Sequence, residues 1–295
     1  MHSGAGRRQS NSVYCLLFTV YYKMIGIFDS GLGGLTILKG ITSKLPEYDY
    51  LYLGDSARAP YGNKSQELIY TYTVEAVDFL FKKGCELVII ACNTASAKAL
   101  RKLQQEWLPK KYPEKRVLGV VIPVVEKAAE YVAEHLKKNK IGIIGTRVTV
   151  ESGVYEQELK KTGVKAAIYA QACPLLVPLV EEGWIKRKET KMILRYYLRK
   201  LKKERINVLI LGCTHYPVLY KQIKEIMGPQ CEVLNSPEYV AEKLADYLNR
   251  HPEMAKKLSK SGKCVFYTTD DVARFKELGS KFLGERIDKV KRIEL

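Results

Sequence analysis

The feature that most constrains the fold is an alternation of short apolar runs with amphipathic stretches, which begins at Met24. Apolar runs such as Ile25–Phe28 and Leu87–Ala91 have the composition of buried strands, and stretches such as Ser65–Lys83 have helical spacing. Strands that alternate with helices are typical of βαβ units in a parallel sheet. The sequence therefore predicts an α/β protein.

This alternation occurs twice along the chain. The segment 24–30 resembles 140–146, and the segment 87–94 resembles 208–215. The first pair is offset by 116 residues and the second by 121. A nearly constant offset indicates a duplicated unit. We therefore expect two pseudo-symmetric α/β domains with parallel-type sheets.

The chain is strongly basic, with 49 Lys and Arg against 32 Asp and Glu and a formal charge of +17. Clustered basic residues are the electrostatic signature of nucleic-acid binding. Here they are scattered, and no RNP pattern, paired-cysteine zinc spacing or helix-turn-helix signature accompanies them. The pattern favours a solvated basic surface over a nucleic-acid site. A basic nucleic-acid-binding protein is retained as the alternative from a different class.

Residues 1–23 have the character of an N-terminal extension outside the fold, with Met24 as the functional start. Their apolar run, 13–22, is too short to cross a bilayer, which takes about 20 residues. No other segment resembles a transmembrane helix, so we expect no membrane partner. Seven cysteines without a regular framework indicate reduced thiols and a cytoplasmic location.

Two of the cysteines, Cys92 and Cys213, each follow an apolar strand and precede a helical stretch. Ligands of open α/β sheets bind outside the carboxyl ends of the strands. The two thiols are therefore expected at equivalent places in the two halves. A helix N-terminus favours the thiolate form, so we expect both thiols to exchange protons readily near neutral pH.

Several chemistries use paired or reactive thiols. A redox pair would have C-x-x-C spacing, and zinc would have a fuller set of ligands than Cys213 and His215. A phosphatase loop would have arginine where Lys98 and Leu219 stand. A single nucleophile with His215 as its base would leave Cys92 unused. Acid and base catalysis from both sides of one carbon uses both thiols, and it inverts a stereocentre without a cofactor.

Six motifs together resemble those of the glutamate racemases, members of the cofactor-independent aspartate/glutamate racemase superfamily. They are Asp29-Ser30-Gly31-Leu32-Gly33-Gly34, Gly54-Asp55-Ser56, Ala59-Pro60-Tyr61-Gly62, Ala91-Cys92-Asn93-Thr94-Ala95-Ser96, the segment from Cys173-Pro174-Leu175 to Glu181-Glu182-Gly183, and Gly212-Cys213-Thr214-His215-Tyr216-Pro217. The resemblance runs from Met24 to about Gly284.

The resemblance implies interconversion of L- and D-glutamate, with D-glutamate supplied to peptidoglycan synthesis, and neither cofactor nor metal. It implies that Cys92 takes the proton from D-glutamate and Cys213 takes it from L-glutamate. Asp29 and His215 resemble the groups that assist the thiols. The implied substrate contacts are Asp29, Ser30, Tyr61, Gly62, Asn93, Thr94, Thr214 and His215. Asp55 and Glu181 match auxiliary carboxylates of the family's site.

Several of these residues also have a purely structural interpretation. Asn93, Thr94 and Thr214 have the character of helix caps, and Tyr61 and Gly62 follow Pro60 as an ordinary turn does. A racemase of aspartate or another small acid is the alternative within the enzymes.

The resemblance also implies three-layer α/β domains that face each other across an active-site cleft. The first would be discontinuous, residues 24–118 plus 232–295, and the second would be 119–231. Members of the family are commonly dimers, so the resemblance allows a homodimer, but no apolar stripe marks an interface.

Overall fold

The computed structural model describes residues 23–135 and 139–295, which form two parallel β-sheets. The predicted extension lies outside the described residues, apart from Lys23. The strands are β1 (Ile25–Asp29), β2 (Tyr50–Gly54), β3 (Leu87–Ile90), β4 (Arg116–Gly119), β5 (Lys140–Gly145), β6 (Ala167–Ala172), β7 (Val208–Gly212), β8 (Glu232–Leu234), β9 (Cys264–Thr268) and β10 (Val290–Arg292). The first sheet has the spatial order β10-β9-β2-β1-β3-β4, and the second has the order β6-β5-β7-β8.

The helices of the described residues connect these strands and cover the sheets. They are α1 (Leu35–Lys44), α2 (Gln66–Lys82), α3 (Asn93–Lys98), α4 (Leu100–Lys102), α5 (Leu108–Lys111), α6 (Val121–His135), α7 (Arg147–Glu151), α8 (Val154–Lys161), α9 (Leu176–Glu181), α10 (Lys188–Lys203), α11 (Tyr220–Met227), α12 (Ser236–Arg250), α13 (Pro252–Ala255) and α14 (Val272–Leu283). A π-helical segment at Leu103–Trp107 and short 3-10 turns at Ser56–Arg58, Tyr61–Asn63, Trp184–Lys186 and Tyr216–Leu219 complete the helical elements.

The central strands of the first sheet are apolar because both of their faces are covered. Every residue of β1, β2 and β3 is buried. Ile25 and Ile27 pack with α1 on one face, whereas Phe28 packs with α2 on the other. Near-continuous hydrophobic runs are the expected pattern for parallel strands between two helical layers. The predicted α/β architecture with parallel sheets is confirmed.

The second sheet repeats the pairing of the first. In spatial order, β6-β5-β7-β8 corresponds to β2-β1-β3-β4. The register is also repeated, since Ile25 pairs with Leu87 in one half and Ile141 pairs with Val208 in the other. Ile25 and Ile141 are 116 residues apart and Leu87 and Val208 are 121 apart, the same offsets that relate the two sequence repeats. The duplication read from the sequence is therefore present in the sheet register.

The second sheet extends slightly further along the chain than the border that we predicted at residue 232. β8 pairs in parallel with β7, so Glu232–Leu234 belongs to the second sheet. The chain returns to the first half only with α12, which packs on α1. The difference arises because a strand of three residues is too short for its sequence to indicate which sheet it joins. Its sheet is known only from its pairing with β7.

No helix among residues 23–135 and 139–295 is long and apolar enough to cross a membrane.

Candidate active site

The two thiols predicted to act together line the same small cavity between the halves. Cys92 follows β3 and immediately precedes α3, and Cys213 directly follows β7. Their residues are only 5% and 6% exposed. The cavity that both line has a volume of about 30 Å³. The corresponding strand ends of the duplicated halves thus bring two sulfur atoms, 121 residues apart in sequence, to one place.

Cys92 lies in a buried and negatively charged environment. Its Sγ is 3.4 Å from the hydroxyl oxygen of Ser30. Burial, and then the nearby carboxylate of Asp29, raise the pKa of the Cys92 thiol to about 12. The expectation that the start of α3 would make Cys92 exchange its proton easily near neutral pH is therefore wrong. A helix terminus contributes about 0.3–2 kcal/mol, which is too little to offset complete burial beside an acid.

Cys213 has a cationic neighbour instead. Its Sγ is 3.9 Å from Nδ1 of His215, whose Nε2 lies 2.9 Å from Oε1 of Glu181. Burial acts to lower the pKa of His215, but the hydrogen bonds to Cys213 and Glu181 outweigh it and raise that pKa to about 10. Burial acts to raise the pKa of Glu181, and the contact with His215 reverses this and lowers it. An imidazolium therefore faces Cys213 near neutral pH.

Asp29 lies behind the cavity at the end of β1 and is fully buried. The Gly31 N–H donates to its Oδ2 at 3.0 Å, and the Thr214 hydroxyl donates to its Oδ1 at 3.4 Å. Burial raises the pKa of Asp29, although His215 opposes this. The carboxyl group connects the first half to the Cys213 turn of the second.

Three side chains of the second half, none of them predicted, bind the residues that follow Cys92. The Tyr155 hydroxyl donates to Oδ1 of Asn93 at 2.5 Å. The Thr94 hydroxyl oxygen is 3.0 Å from that of Thr146 and 3.1 Å from that of Thr149. The sequence repeat could have predicted Thr146 as a site residue, because Thr146 is the equivalent of Ser30 in the second half. Nothing in the repeat marked Thr149 or Tyr155.

The turn after Pro60 forms another wall of the cavity. Tyr61 is 1% exposed, and its hydroxyl donates to Oδ2 of Asp55 at 2.5 Å. A Cβ added to Gly62 would lie 2.8 Å from Cβ of Thr146, so the backbone at Gly62 lies against the second half.

Most of the predicted site residues line this cavity. They are Ser30, Tyr61, Gly62, Cys92, Asn93, Thr94, Glu181, Cys213, Thr214 and His215. Asp29 and Asp55 do not line it, and each lies behind residues that do. The four remaining cysteines of the described residues, Cys85, Cys173, Cys231 and Cys264, lie outside its lining.

A larger cavity of about 370 Å³ adjoins the small one. The lining residues that the two share are Gly31, Ala59, Pro60, Gly62, Thr146, Val177 and Glu181. The larger cavity is the wider outer part of the same cleft. Within the described ranges, no three His, Cys, Asp or Glu side chains gather in an arrangement that could hold a metal ion.

The chain was compared with known protein families, proteins and structures. Residues 35–244 match the family model described as Asp/Glu/Hydantoin racemase. The glutamate racemase of Geobacter metallireducens is 38% identical over 275 residues, which cover 93% of this chain and 97% of that protein.

Two crystal structures are similar over almost the whole fold. Glutamate racemase isoform RacE1 from Bacillus anthracis has a TM-score of 0.83 at 33% identity, over 92% of this chain and 98% of that one. The glutamate racemase of Francisella tularensis, solved in complex with D-glutamate, has a TM-score of 0.81 at 30% identity, over 93% of this chain and 98% of that one.

The duplicated α/β fold with a shared cleft, together with these matches, defines a racemase, and the chain belongs to the Asp/Glu/hydantoin racemase family. Within that family it is a member of the glutamate racemases, which it matches over nine-tenths of its length. The resemblance read from the six motifs is confirmed.

Proposed function

We propose that this chain interconverts L- and D-glutamate by moving protons between Cα and the two thiols Cys92 and Cys213. The activity follows from membership of the glutamate racemases, and its role in that family is to supply D-glutamate for peptidoglycan. The observation that carries the mechanism is that both thiols line one cavity. Bases on opposite sides of a carbon are what inversion without a cofactor requires.

The surroundings of the two thiols differ. The Sγ of Cys213 faces the His215 imidazolium, 3.9 Å from its Nδ1. Cys92, with its raised pKa, carries its proton. When L-glutamate is the substrate, Cys213 as thiolate takes the Cα proton, and Cys92 as thiol gives its own proton to the opposite face. The bond from Cα to hydrogen breaks on one side and a new one forms on the other, which leaves Cys92 as thiolate and Cys213 as thiol. D-glutamate reacts by the reverse steps, starting from the form in which Cys92 is the thiolate and Cys213 carries the proton.

The substrate carboxylates and amine require polar partners around the cavity. We assign these contacts to Ser30, Asn93, Thr94, Thr214 and His215, to the turn formed by Tyr61 and Gly62, and to Thr146. Asp29 accepts a hydrogen bond from Thr214, and its carboxylate places negative charge near Cys92. Glu181 holds the His215 imidazolium. Placement among fixed donors in a site with little water strengthens each contact as negative charge develops at Cα.

Single substitutions of the thiols test the mechanism. We expect Cys92→Ser and Cys213→Ser each to lower kcat for racemisation at least a hundredfold, because serine is a far weaker acid and base partner at neutral pH. The measurement is optical rotation or circular dichroism of glutamate, started from each isomer. Cys264→Ser, a half-buried cysteine outside the cavity, is the matched control and is expected to retain activity. Full activity of either cavity variant would contradict the mechanism.

The substrate is distinguished by comparing initial rates on both isomers of glutamate, aspartate and other small acids. A faster reaction with aspartate than with glutamate would show that aspartate is the preferred substrate. We also propose a cytoplasmic location, since free thiols are maintained in reducing compartments.

We further propose the two domains predicted above, residues 24–118 plus 232–295 and residues 119–231, with β8 assigned to the second because it pairs with β7. The resemblance also supports a homodimer, which light scattering of the purified chain tests.

A further inference from the structure

Asp55 is a buried acid that the proposed reaction does not use. It follows β2 directly, it is fully buried, and it does not line the cavity. A buried carboxylate is costly unless it is well hydrogen-bonded, so its partners indicate what it does.

Those partners join three parts of the first half. Oδ2 accepts from the Tyr61 hydroxyl at 2.5 Å and from Nε of Arg58 at 2.7 Å. Oδ1 accepts from the Thr269 hydroxyl at 2.9 Å, and the Asp55 N–H donates to the carbonyl of Asp29 at 3.0 Å. One side chain and its backbone thus connect the ends of β1, β2 and β9 to the turn that carries Tyr61.

The same turn is also held from its outer side. The Arg58 guanidinium binds Glu75 and lies over the Tyr72 ring, 4.0 Å from its centroid. The ring centroids of Tyr72 and Tyr61 are 5.8 Å apart, and those of Tyr61 and Phe28 are 6.2 Å apart. Tyr61 is therefore fixed at its ring by aromatic packing and at its hydroxyl by a carboxylate.

This arrangement determines which part of Tyr61 is available to a ligand. Burial, and then the Asp55 charge, raise the pKa of the Tyr61 hydroxyl, so it stays protonated and donates to Asp55. Tyr61 and the adjoining Gly62 line the cavity while this hydroxyl is held by Asp55. Gly62 lies against Thr146 of the second half, so a displacement of the turn would change the width of the cavity.

We propose that Asp55 is a positioning residue of the racemase, which acts through the Tyr61 hydroxyl to fix the wall formed by Tyr61 and Gly62. The inference rests on the substrate contacts proposed for that wall. A carboxylate suits this role because it accepts from Tyr61, Arg58 and Thr269 at once. An amide in its place would direct its NH₂ group either at the Thr269 donor or at both the Tyr61 and Arg58 donors.

A double-mutant cycle tests this role. Tyr61→Phe keeps the ring, and Asp55→Asn keeps the shape of the side chain. We expect each to lower kcat/KM about tenfold for both isomers, mainly through KM, since a charge-assisted hydrogen bond is lost. The double variant is expected to be no worse than the poorer single variant, because both changes break one contact. Thr269→Val removes another Asp55 contact and is expected to raise KM in the same direction, which keeps the test available if Asp55→Asn does not fold.

The chain offers a matched control in the same half. The Tyr112 hydroxyl donates to Oδ1 of Asp78 at 2.9 Å, and neither residue lines the cavity. Tyr112→Phe and Asp78→Asn are expected to lower the melting temperature without changing kcat/KM. The positioning role is overturned if Tyr61→Phe behaves like Tyr112→Phe, or if the losses of Asp55→Asn and Tyr61→Phe multiply. Either result leaves racemisation by the unaltered protein, and hence the proposed function, intact.

Discussion

Cys92 and Cys213 occupy corresponding places in the two halves, yet their neighbours differ in charge. Cys92 has a hydroxyl and a carboxylate beside it, and Cys213 has an imidazolium. The sequence predicted the two thiols and the closeness of His215 to Cys213, because these are local features of strand ends. It did not predict the raised pKa of Cys92, since the depth of burial depends on the other half of the molecule.

At this scale, His215 makes stability depend on pH. Its folded pKa of about 10 lies above the ordinary value of 6.5, so the stability that it contributes is fully present below pH 6.5 and is lost as the pH rises through 10. We expect His215→Gln to be less stable than the unaltered protein at pH 6, and we expect that difference in unfolding free energy to shrink toward pH 10. Urea unfolding at several pH values measures it.

The exposed His251, which contacts Glu253 on the surface, supplies the control through His251→Gln. A His215→Gln deficit in stability that grew with pH would contradict the assignment of a protonated imidazole beside Cys213.

At the scale of elements, the turn before α1 meets the Cys213 turn of the second half. A Cβ added to Gly33 would lie 2.3 Å from Oγ1 of Thr214 and 2.5 Å from Nδ1 of His215. The Thr36 hydroxyl also donates to the Thr214 carbonyl at 2.9 Å. The start of one helix thereby sets the position of the residues that flank a thiol.

We expect Gly33→Ala to displace Thr214 and His215, to cost about 1–3 kcal/mol of stability through overpacking, and to reduce kcat/KM at least tenfold. Thermal unfolding and racemisation rates measure the two effects. Gly228→Ala is the contrasting variant, because Gly228 has φ +82° and a Cβ added there would have no neighbour within 4 Å. It is expected to lose about 1–3 kcal/mol from backbone strain while kcat/KM is unchanged, and equal loss of activity in both variants would refute the steric argument.

Most elements were predictable because their periodicity is strong, and the exceptions have physical causes. β10 is three residues long and includes two basic side chains, so it has no apolar run. The spacing of apolar residues over 95–107 predicts one continuous helix, but the structure interrupts it after Lys98 and makes it π-helical at Leu103–Trp107. Pro109 follows it, and proline has no N–H to donate to the preceding turn.

At the scale of the whole molecule, the cavity between the thiols is too small for the substrate. Its volume of about 30 Å³ holds roughly two water molecules, at 10–15 Å³ each. Each water has one heavy atom, and glutamate has many more heavy atoms than two waters. We therefore expect the halves to move apart when glutamate enters. The contacts expected to loosen include those of Asn93 with Tyr155 and of Thr94 with Thr146.

This motion predicts a local pattern of hydrogen exchange. Saturating glutamate is expected to slow the exchange of backbone amides around 92–96 and 146–150 by holding the halves together, and to leave the buried strands β1 and β5 unchanged. Mass spectrometry of peptides from the free and saturated protein measures both regions. Unchanged exchange at the two turns would contradict entry by separation of the halves.

The architecture of two similar halves was predictable because two pairs of segments repeat in the sequence at a nearly constant offset. The interface between the halves was not, since Thr149 and Tyr155 carry no signal until the sheets face each other. The formal charge of +17 leaves the nucleic-acid alternative as a separate hypothesis. It requires salt-sensitive duplex binding that survives the loss of both thiols.

The central claim is that two different thiols serve the two faces of one carbon, and the fate of hydrogen at Cα tests it most directly. L-glutamate is incubated with the protein in heavy water, and both isomers are separated during the first few per cent of reaction. Separate acid and base groups predict deuterium at Cα of the D-glutamate formed, while the remaining L-glutamate keeps its original hydrogen. D-glutamate that retains the substrate's own hydrogen would show a single group working on both faces and would contradict the account.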